Sequence, residues 1–187
     1  MPSKDSFLIT GCSVSGTSLL HGLISHNSAC CVDYEYFRYK HDVRKAIISW
    51  QDKAKKTKLI WGNKIPYEQF ITSKPKWEEE DIVKLIDLFK IVFIQRRFTM
   101  YAKQNSSDVK YKVYWNNANY NVYWAMREYK PDKIIAVSFE DLCLRPRAEV
   151  NRICDFLGIP FEYEEMIKGT INGKSRLSKI GFDLSRV

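Results

Sequence analysis

The residues that decide the fold are Ser6-Phe7-Leu8-Ile9-Thr10-Gly11-Cys12-Ser13-Val14-Ser15-Gly16-Thr17-Ser18-Leu19-Leu20. The first five form a short apolar run ended by glycine, the pattern of a strand buried on both faces. Gly11 to Gly16 is a loop, and Thr17 to His26 continues as a helix. Strand, glycine-bounded loop and helix in that order make an anion cradle. Glycines let the backbone curl until several N–H groups face one centre, where the helix dipole also favours negative charge. Ser15, Thr17 and Ser18 add hydroxyl donors. The two glycines keep the G-x-x-x-x-G spacing of a nucleotide-phosphate loop, but Thr17 stands where an ATP-using enzyme carries lysine. A kinase or ATPase reading is weakened accordingly.

Outward from this stretch, strand-like runs alternate with helical ones. Ala29 to Val32, Lys58 to Trp61, Lys90 to Gln95 and Lys133 to Phe139 read as strands, the third being the clearest. Tyr39 to Lys56, Glu78 to Phe89, Tyr111 to Tyr129 and Pro146 to Leu157 read as helices. The last has proline at an early position and Gly158 beyond its end. Alternation of this kind predicts right-handed crossovers and a mostly parallel sheet of about five strands, flanked by helices. The expected fold is therefore α/β, three-layered and of the P-loop type. Ligands of such sheets sit at the carboxyl ends of the strands, so the loops after Thr10, Val32, Trp61 and Gln95 are where chemistry is expected.

Composition sets the outer bounds. The chain has 187 residues, 45% of them apolar, which fits one domain spanning 1–187. No window approaches the length of a membrane span, and the start lacks a basic-then-apolar leader. Cys12, Cys30, Cys31, Cys143 and Cys154 are odd in number and irregular in spacing. They predict reduced, mostly buried thiols in a cytoplasmic protein, without zinc. The net charge of +8 suits ligands bearing several phosphates. The nearest approach to a basic run, Lys53, Lys55, Lys56 and Lys58, reads as a solvated helix end, so no nucleic-acid partner is expected.

The string Ser15-Gly16-Thr17-Ser18-Leu19-Leu20 resembles the phosphosulfate loop of sulfotransferases that use 3′-phosphoadenosine-5′-phosphosulfate (PAPS). The motif style is closest to tyrosylprotein, Golgi-type and bacterial members. The resemblance implies that Ser13, Val14, Ser15, Gly16, Thr17 and Ser18 hold the 5′-phosphosulfate. Val14 departs from the family, which usually has Arg or Lys there. Asp33 and Glu35 lie where the family places its general base; either could serve, and Glu35 is preferred. Trp61-Gly62-Asn63-Lys64-Ile65-Pro66 resembles the W-G-x-K-x-P segment, whose lysine steadies charge on the leaving oxygen, so Lys64 takes that role. His26 and His41 are reserve bases.

Arg96, at the end of the fourth strand, matches the arginine that holds the 3′-phosphate in the family. Eight residues on, Gln104 stands in place of serine, flanked by Lys103 and Asn105. Val137 to Leu142 and Ile153 to Phe161 resemble the Y-E-D-L and F-L-G-L-P-F signatures, with Glu140 and Asp141 at a helix start. Lys174, Ser175 and Arg176 are further 3′-phosphate candidates. The resemblance thus implies metal-free sulfuryl transfer from PAPS to a hydroxyl or amine of a small molecule, sugar or peptide. The competing readings are a P-loop kinase of small molecules or nucleotides, and a non-catalytic nucleotide-binding relative.

Overall fold

The computed structural model describes residues 6–34, 49, 52, 59–67, 86–98 and 109–171. Five strands form one sheet: β1 (Phe7–Thr10), β2 (Cys30–Tyr34), β3 (Ile60–Lys64), β4 (Lys90–Gln95) and β5 (Ile134–Ser138). Their order is β2-β3-β1-β4-β5 and every pairing is parallel. All the strands therefore end at one edge, with β1 in the middle. The P-loop-type three-layer α/β arrangement expected from the sequence is the one observed.

Strand alternation splits the core in two. One face carries Phe7, Ile9, Ile60, Val92, Ile94 and Val137 beneath α1 (Thr17–Ser25) and the C-terminal helices. The other carries Leu8, Ile91, Phe93 and Ile134 beneath the stretch from Val109 to Tyr129. That stretch is α2 (Val109–Asn116), a π-helical segment (Asn117–Val122) and α3 (Tyr123–Tyr129). The C-terminal helices are α4 (Phe139–Leu144), α5 (Pro146–Leu157) and α6 (Tyr163–Ile171). Ser138 caps α4 by accepting from the Asp141 N–H, with Glu140 and Asp141 in the first turn as expected. Gly158 ends α5 at φ 71°, the left-handed closure that glycine permits.

Three expectations need correction. The third strand does not stop at Trp61; it runs from Ile60 to Lys64. Gly62 is no turn residue, because the Phe7 ring packs where its side chain would be, 2.3 Å from an added Cβ. The second strand likewise extends to Tyr34. Asp33 and Lys64 are therefore strand residues rather than loop residues. The helix expected over 111–129 is interrupted by a π-turn, which a 3.6-residue periodicity does not reveal. The helix expected over 39–56, its lysine run, and most of that over 78–89 lie outside the described residues.

All five cysteines are thiols without a disulfide. Burial pushes Cys143 up to about 11 and Cys154 up to about 12, so neither is a nucleophile at neutral pH. Among the described residues no helix is long and apolar enough to cross a membrane.

Candidate functional site

The loop from Gly11 to Gly16 sits at the carboxyl edge of β1 and is held in an unusual shape. Three of its residues have positive φ: Gly11 at 146°, Val14 at 65° and Gly16 at 104°. The left-handed region is costly for a β-branched residue, so Val14 must be held there by its surroundings. Arg96, at the end of β4, supplies the hold by donating from Nη1 to the Val14 carbonyl at 3.1 Å. Its guanidinium also lies 4.4 Å from the centre of the Phe139 ring. Only 3% of Arg96 is exposed, and burial lowers its affinity for the proton below the ordinary arginine value. Gly16 cannot carry a side chain: a Cβ would lie 2.5 Å from Phe139 and 3.0 Å from Ile94.

Ser15 does a different job from the one its hydroxyl suggested. Its N–H and Oγ–H both donate to the Cys12 carbonyl, at 3.1 and 2.5 Å. It closes the turn from inside, and its donors are spent. The first helical bond of α1 runs from the Leu20 N–H to Gly16. The N–H groups of Thr17, Ser18 and Leu19 precede it and have no acceptor within the helix. They point out of the helix start, where the dipole favours an anion. Ser13 is half-buried, Val14 and Ser18 are exposed, and Thr17 is buried at the foot of α1.

The chain just after Lys64 is tied to β1 and to this loop. The Ile65 N–H donates to Ile9 at 2.9 Å, and the Tyr67 N–H donates to Gly11 at 2.9 Å. The chain after Lys64 thus runs along the base of the loop, with β3 beside β1. The lysine is 2% exposed, and its Nζ lies 4.1 Å from the centre of the Tyr34 ring. Tyr34 and Lys64 are register partners, and so are Asp33 and Asn63. Alternation therefore sends Tyr34 and Lys64 to the α1 side and Asp33 and Asn63 to the other. The side-chain atoms Oδ1 and Nδ2 of Asn63, and Oγ1 of Thr10 on the neighbouring strand, are buried without hydrogen-bond partners. Unpaired buried polar atoms are rare in native proteins and tend to mark where a ligand or water binds.

The sequence reading missed His21. It stands on α1 four residues after Thr17, hence on the same helix side. Its ring packs edge-on against Tyr34, with centroids 5.3 Å apart, and its Nε2 lies 3.3 Å from the Val32 carbonyl. A carbonyl partner makes Nε2 the protonated nitrogen and leaves Nδ1 as the acceptor in the neutral ring. Burial first, and then the Lys64 charge, lower its pKa below the ordinary 6.5. The i+4 spacing from the loop threonine was the available signal. His26, by contrast, is exposed and lies 2.9 Å from the Gly22 carbonyl of its own helix. Glu35, His41, Gln104, Lys174 and Arg176 lie outside the described residues.

A concavity of about 610 Å³ opens on the α2–α3 side, between that helical stretch and the ends of β4 and β5. Trp115 fixes its wall by donating from Nε1 to the Arg96 carbonyl at 2.8 Å.

A model of the sulfotransferase family matches residues 89–163. A flavonol sulfotransferase-like protein of Flaveria bidentis is 29% identical over 87 residues, 42% of this chain; the chain spans only 28% of that relative's length. Among solved structures, the sulfotransferase domain of the Synechococcus PCC 7002 olefin synthase aligns with a TM-score of 0.62 at 16% identity, covering 90% of this chain and 79% of its own. The sulfotransferase domain from the curacin biosynthetic pathway gives 0.58 at 16% identity, covering 88% and 77%. A mouse sulfotransferase, SULT7A1, complexed with PAP, gives 0.54 at 14% identity, covering 89% and 62%. The resemblance to sulfotransferases read from the motifs is thereby borne out, and the structural likeness establishes the fold.

Proposed function

We propose that this chain, whose residues 89–163 match the sulfotransferase family, transfers a sulfuryl group from PAPS to a hydroxyl or amine. One observation carries the reading. A lysine with 2% exposure, Lys64, ends the strand beside β1, and just after it the N–H groups of Ile65 and Tyr67 donate to Ile9 of β1 and to Gly11 of the glycine-bounded loop. The residues fit a 5′-phosphosulfate. The loop has the positive-φ curl, the outward N–H groups of Thr17 and Ser18, and no Walker lysine. When bound, the donor supplies a sulfur atom joined to phosphate through a bridging oxygen.

In this reading the acceptor oxygen or nitrogen forms a bond to sulfur while the bond from sulfur to the bridging oxygen breaks. Adenosine 3′,5′-bisphosphate departs with that electron pair. Lys64 meets the charge growing on the bridging oxygen, an interaction that strengthens only in the transition state. The acceptor proton passes to Asp33 or Glu35. Asp33 lies on the face of β2 away from Lys64, so the two groups flank the strand ends from opposite sides. Arg96 serves by fixing the Val14 carbonyl and so the shape of the loop, and its position at the end of β4 suits it to the 3′-phosphate. Gln104, Lys174 and Arg176 are proposed to complete the hold on that phosphate.

The test is transfer of label from PAPS to a panel of phenols, alcohols, amines and sugars in the presence of EDTA. Turnover that survives EDTA is expected, because Lys64 and backbone amides carry the charge in this scheme. Strict dependence on Mg²⁺, with ATP as donor, would overturn it.

A further inference from the structure

Lysine carries its charge on a flexible four-carbon stem, so fixing the backbone of Lys64 does not fix its ammonium. The backbone is tied on both sides. β3 pairs with β1 and with β2, and the Ile65 N–H donates to Ile9. An aromatic ring then meets the ammonium itself. Tyr34 is the register partner of Lys64 on β2, so the two side chains stand next to each other on the α1 face of the sheet. The Lys64 Nζ lies 4.1 Å from the centre of the Tyr34 ring, within the range at which a ring face attracts a cation.

Tyr34 has to be held in its turn. It ends β2, which among the described residues has a strand neighbour on one side only, and it is 55% exposed. An exposed ring at a strand end keeps several rotamers open unless a neighbour meets it. His21 of α1 is that neighbour. Its ring stands at 88° to the Tyr34 ring with centroids 5.3 Å apart, the edge-to-face arrangement that aromatic pairs favour. The His21 ring is anchored as well: its Nε2 lies 3.3 Å from the carbonyl of Val32, two residues before Tyr34 on the same strand. Burial, and then the Lys64 charge, lower its pKa below the ordinary 6.5. At neutral pH the ring therefore meets Tyr34 without a charge that would repel the ammonium. His21 also follows Thr17, the first residue of α1, by four positions, so the same helix opens at the glycine-bounded loop and carries the support for Tyr34.

We infer that Tyr34 and His21 are positioning residues for the Lys64 ammonium: the Tyr34 ring face sets where the charge sits, and His21 sets the ring. The inference rests on the sulfuryl-transfer reading for the purpose of that charge, but on the three side chains alone for the pin. Both residues act through Lys64. A small displacement of a charged group from the reacting atoms is enough to lose much of its effect, so a flexible lysine gains from such a support.

NMR of the full chain with lysine labelled at Cε reads the pin directly, because the face of a ring shifts nearby protons upfield. The Lys64 resonance is identified by its loss in Lys64→Arg and in Lys64→Met. Its Hε protons are expected upfield of those of exposed lysines. The shift should vanish in Tyr34→Leu and return in Tyr34→Phe, which keeps the ring. It should shrink in His21→Gln, which can keep the bond to Val32 but has no ring, and recover in His21→Phe. An unshifted Lys64 resonance, a shift that survives Tyr34→Leu, or one indifferent to His21→Gln would overturn the inference.

Adenosine 3′,5′-bisphosphate then tests what the pin is for. Its 5′-phosphate carries the oxygen that leaves sulfur, so the bisphosphate should move the Lys64 resonance and adenosine 3′-phosphate should not. In Tyr34→Leu the bisphosphate should still bind, with the movement of Lys64 reduced. Equal movement in wild type and Tyr34→Leu would show that the ring does not aim the charge, and would also overturn the inference. If the ring-by-ring pattern holds but the bisphosphate binds without moving Lys64, or does not bind, the pin stands and the sulfuryl-transfer reading of Lys64 falls.

Discussion

Lys64 is buried with its Nζ 4.1 Å from the centre of the Tyr34 ring, and it is the residue on which the proposed chemistry turns. Lys64→Ala should lower turnover about a hundredfold or more while changing nucleotide affinity little, because its interaction grows only as the leaving oxygen gains charge. Single-turnover rates and titration measured side by side check the split; equal losses in both would make Lys64 a binding residue. Gly16 gives a second test at this scale. Gly16→Ala forces a side chain against Phe139 at a φ of 104°, and should cost roughly 1–3 kcal/mol of stability. Thermal melting measures that cost, and titration should show weaker nucleotide binding. Single residues were unevenly legible in the sequence. Gly16 is marked by the G-x-x-x-x-G spacing, and Lys64 by the resemblance of its segment to W-G-x-K-x-P. Ser15 was taken for an anion donor, since nothing in a sequence shows that Cys12 already takes both of its hydrogens. His21 was passed over because its neighbours, Tyr34 and Lys64, come from two other elements.

At the scale of elements, the five strands could be placed from apolar runs alone, since burial on both faces leaves little room for polar residues. Their ends could not. Gly-Asn-Lys-Ile-Pro after Trp61 has the composition of a turn, yet Phe7 of the neighbouring strand claims the space beside Gly62 and the strand continues. Gly62→Ala should therefore destabilise the chain by about 1–3 kcal/mol through overpacking. Adding Phe7→Leu to it should restore part of that loss. A denaturation series on the two single variants and the double variant tests the pairing, and simple additivity would refute it. The π-turn was likewise beyond periodicity, though it turns Asn119 into the α2–α3 cleft.

At the scale of the whole molecule, the two faces of the sheet differ: α1 and the glycine-bounded loop lie on one side, and the cleft lined by Trp115, Tyr120 and Trp124 on the other. The first side also governs how stability responds to pH. Burial lowers the His21 pKa below 6.5. The unfolded chain then binds a proton more readily than the folded one, so His21's contribution is complete above pH 6.5 and is lost as pH falls through the folded value. Glu162 follows at lower pH. Its carboxylate accepts from the N–H and hydroxyl of Ser28, at 2.7 and 2.6 Å, and these bonds hold its pKa below the ordinary 4.5. Stability measured between pH 7 and 5 should fall in the wild type and fall less in His21→Gln; identical slopes would show that His21 is not buried as described. The net charge of +8 and the anion-shaped loop agree on a polyanionic ligand, and the most direct test of the account is which one. Titration with adenosine 3′,5′-bisphosphate and with ADP compares two nucleotides that differ in where the second phosphate sits. A charge-assisted phosphate contact contributes roughly 1.5–3 kcal/mol, so the bisphosphate should bind about tenfold or more tightly. Equal affinities, or tighter binding of ADP, would contradict the account.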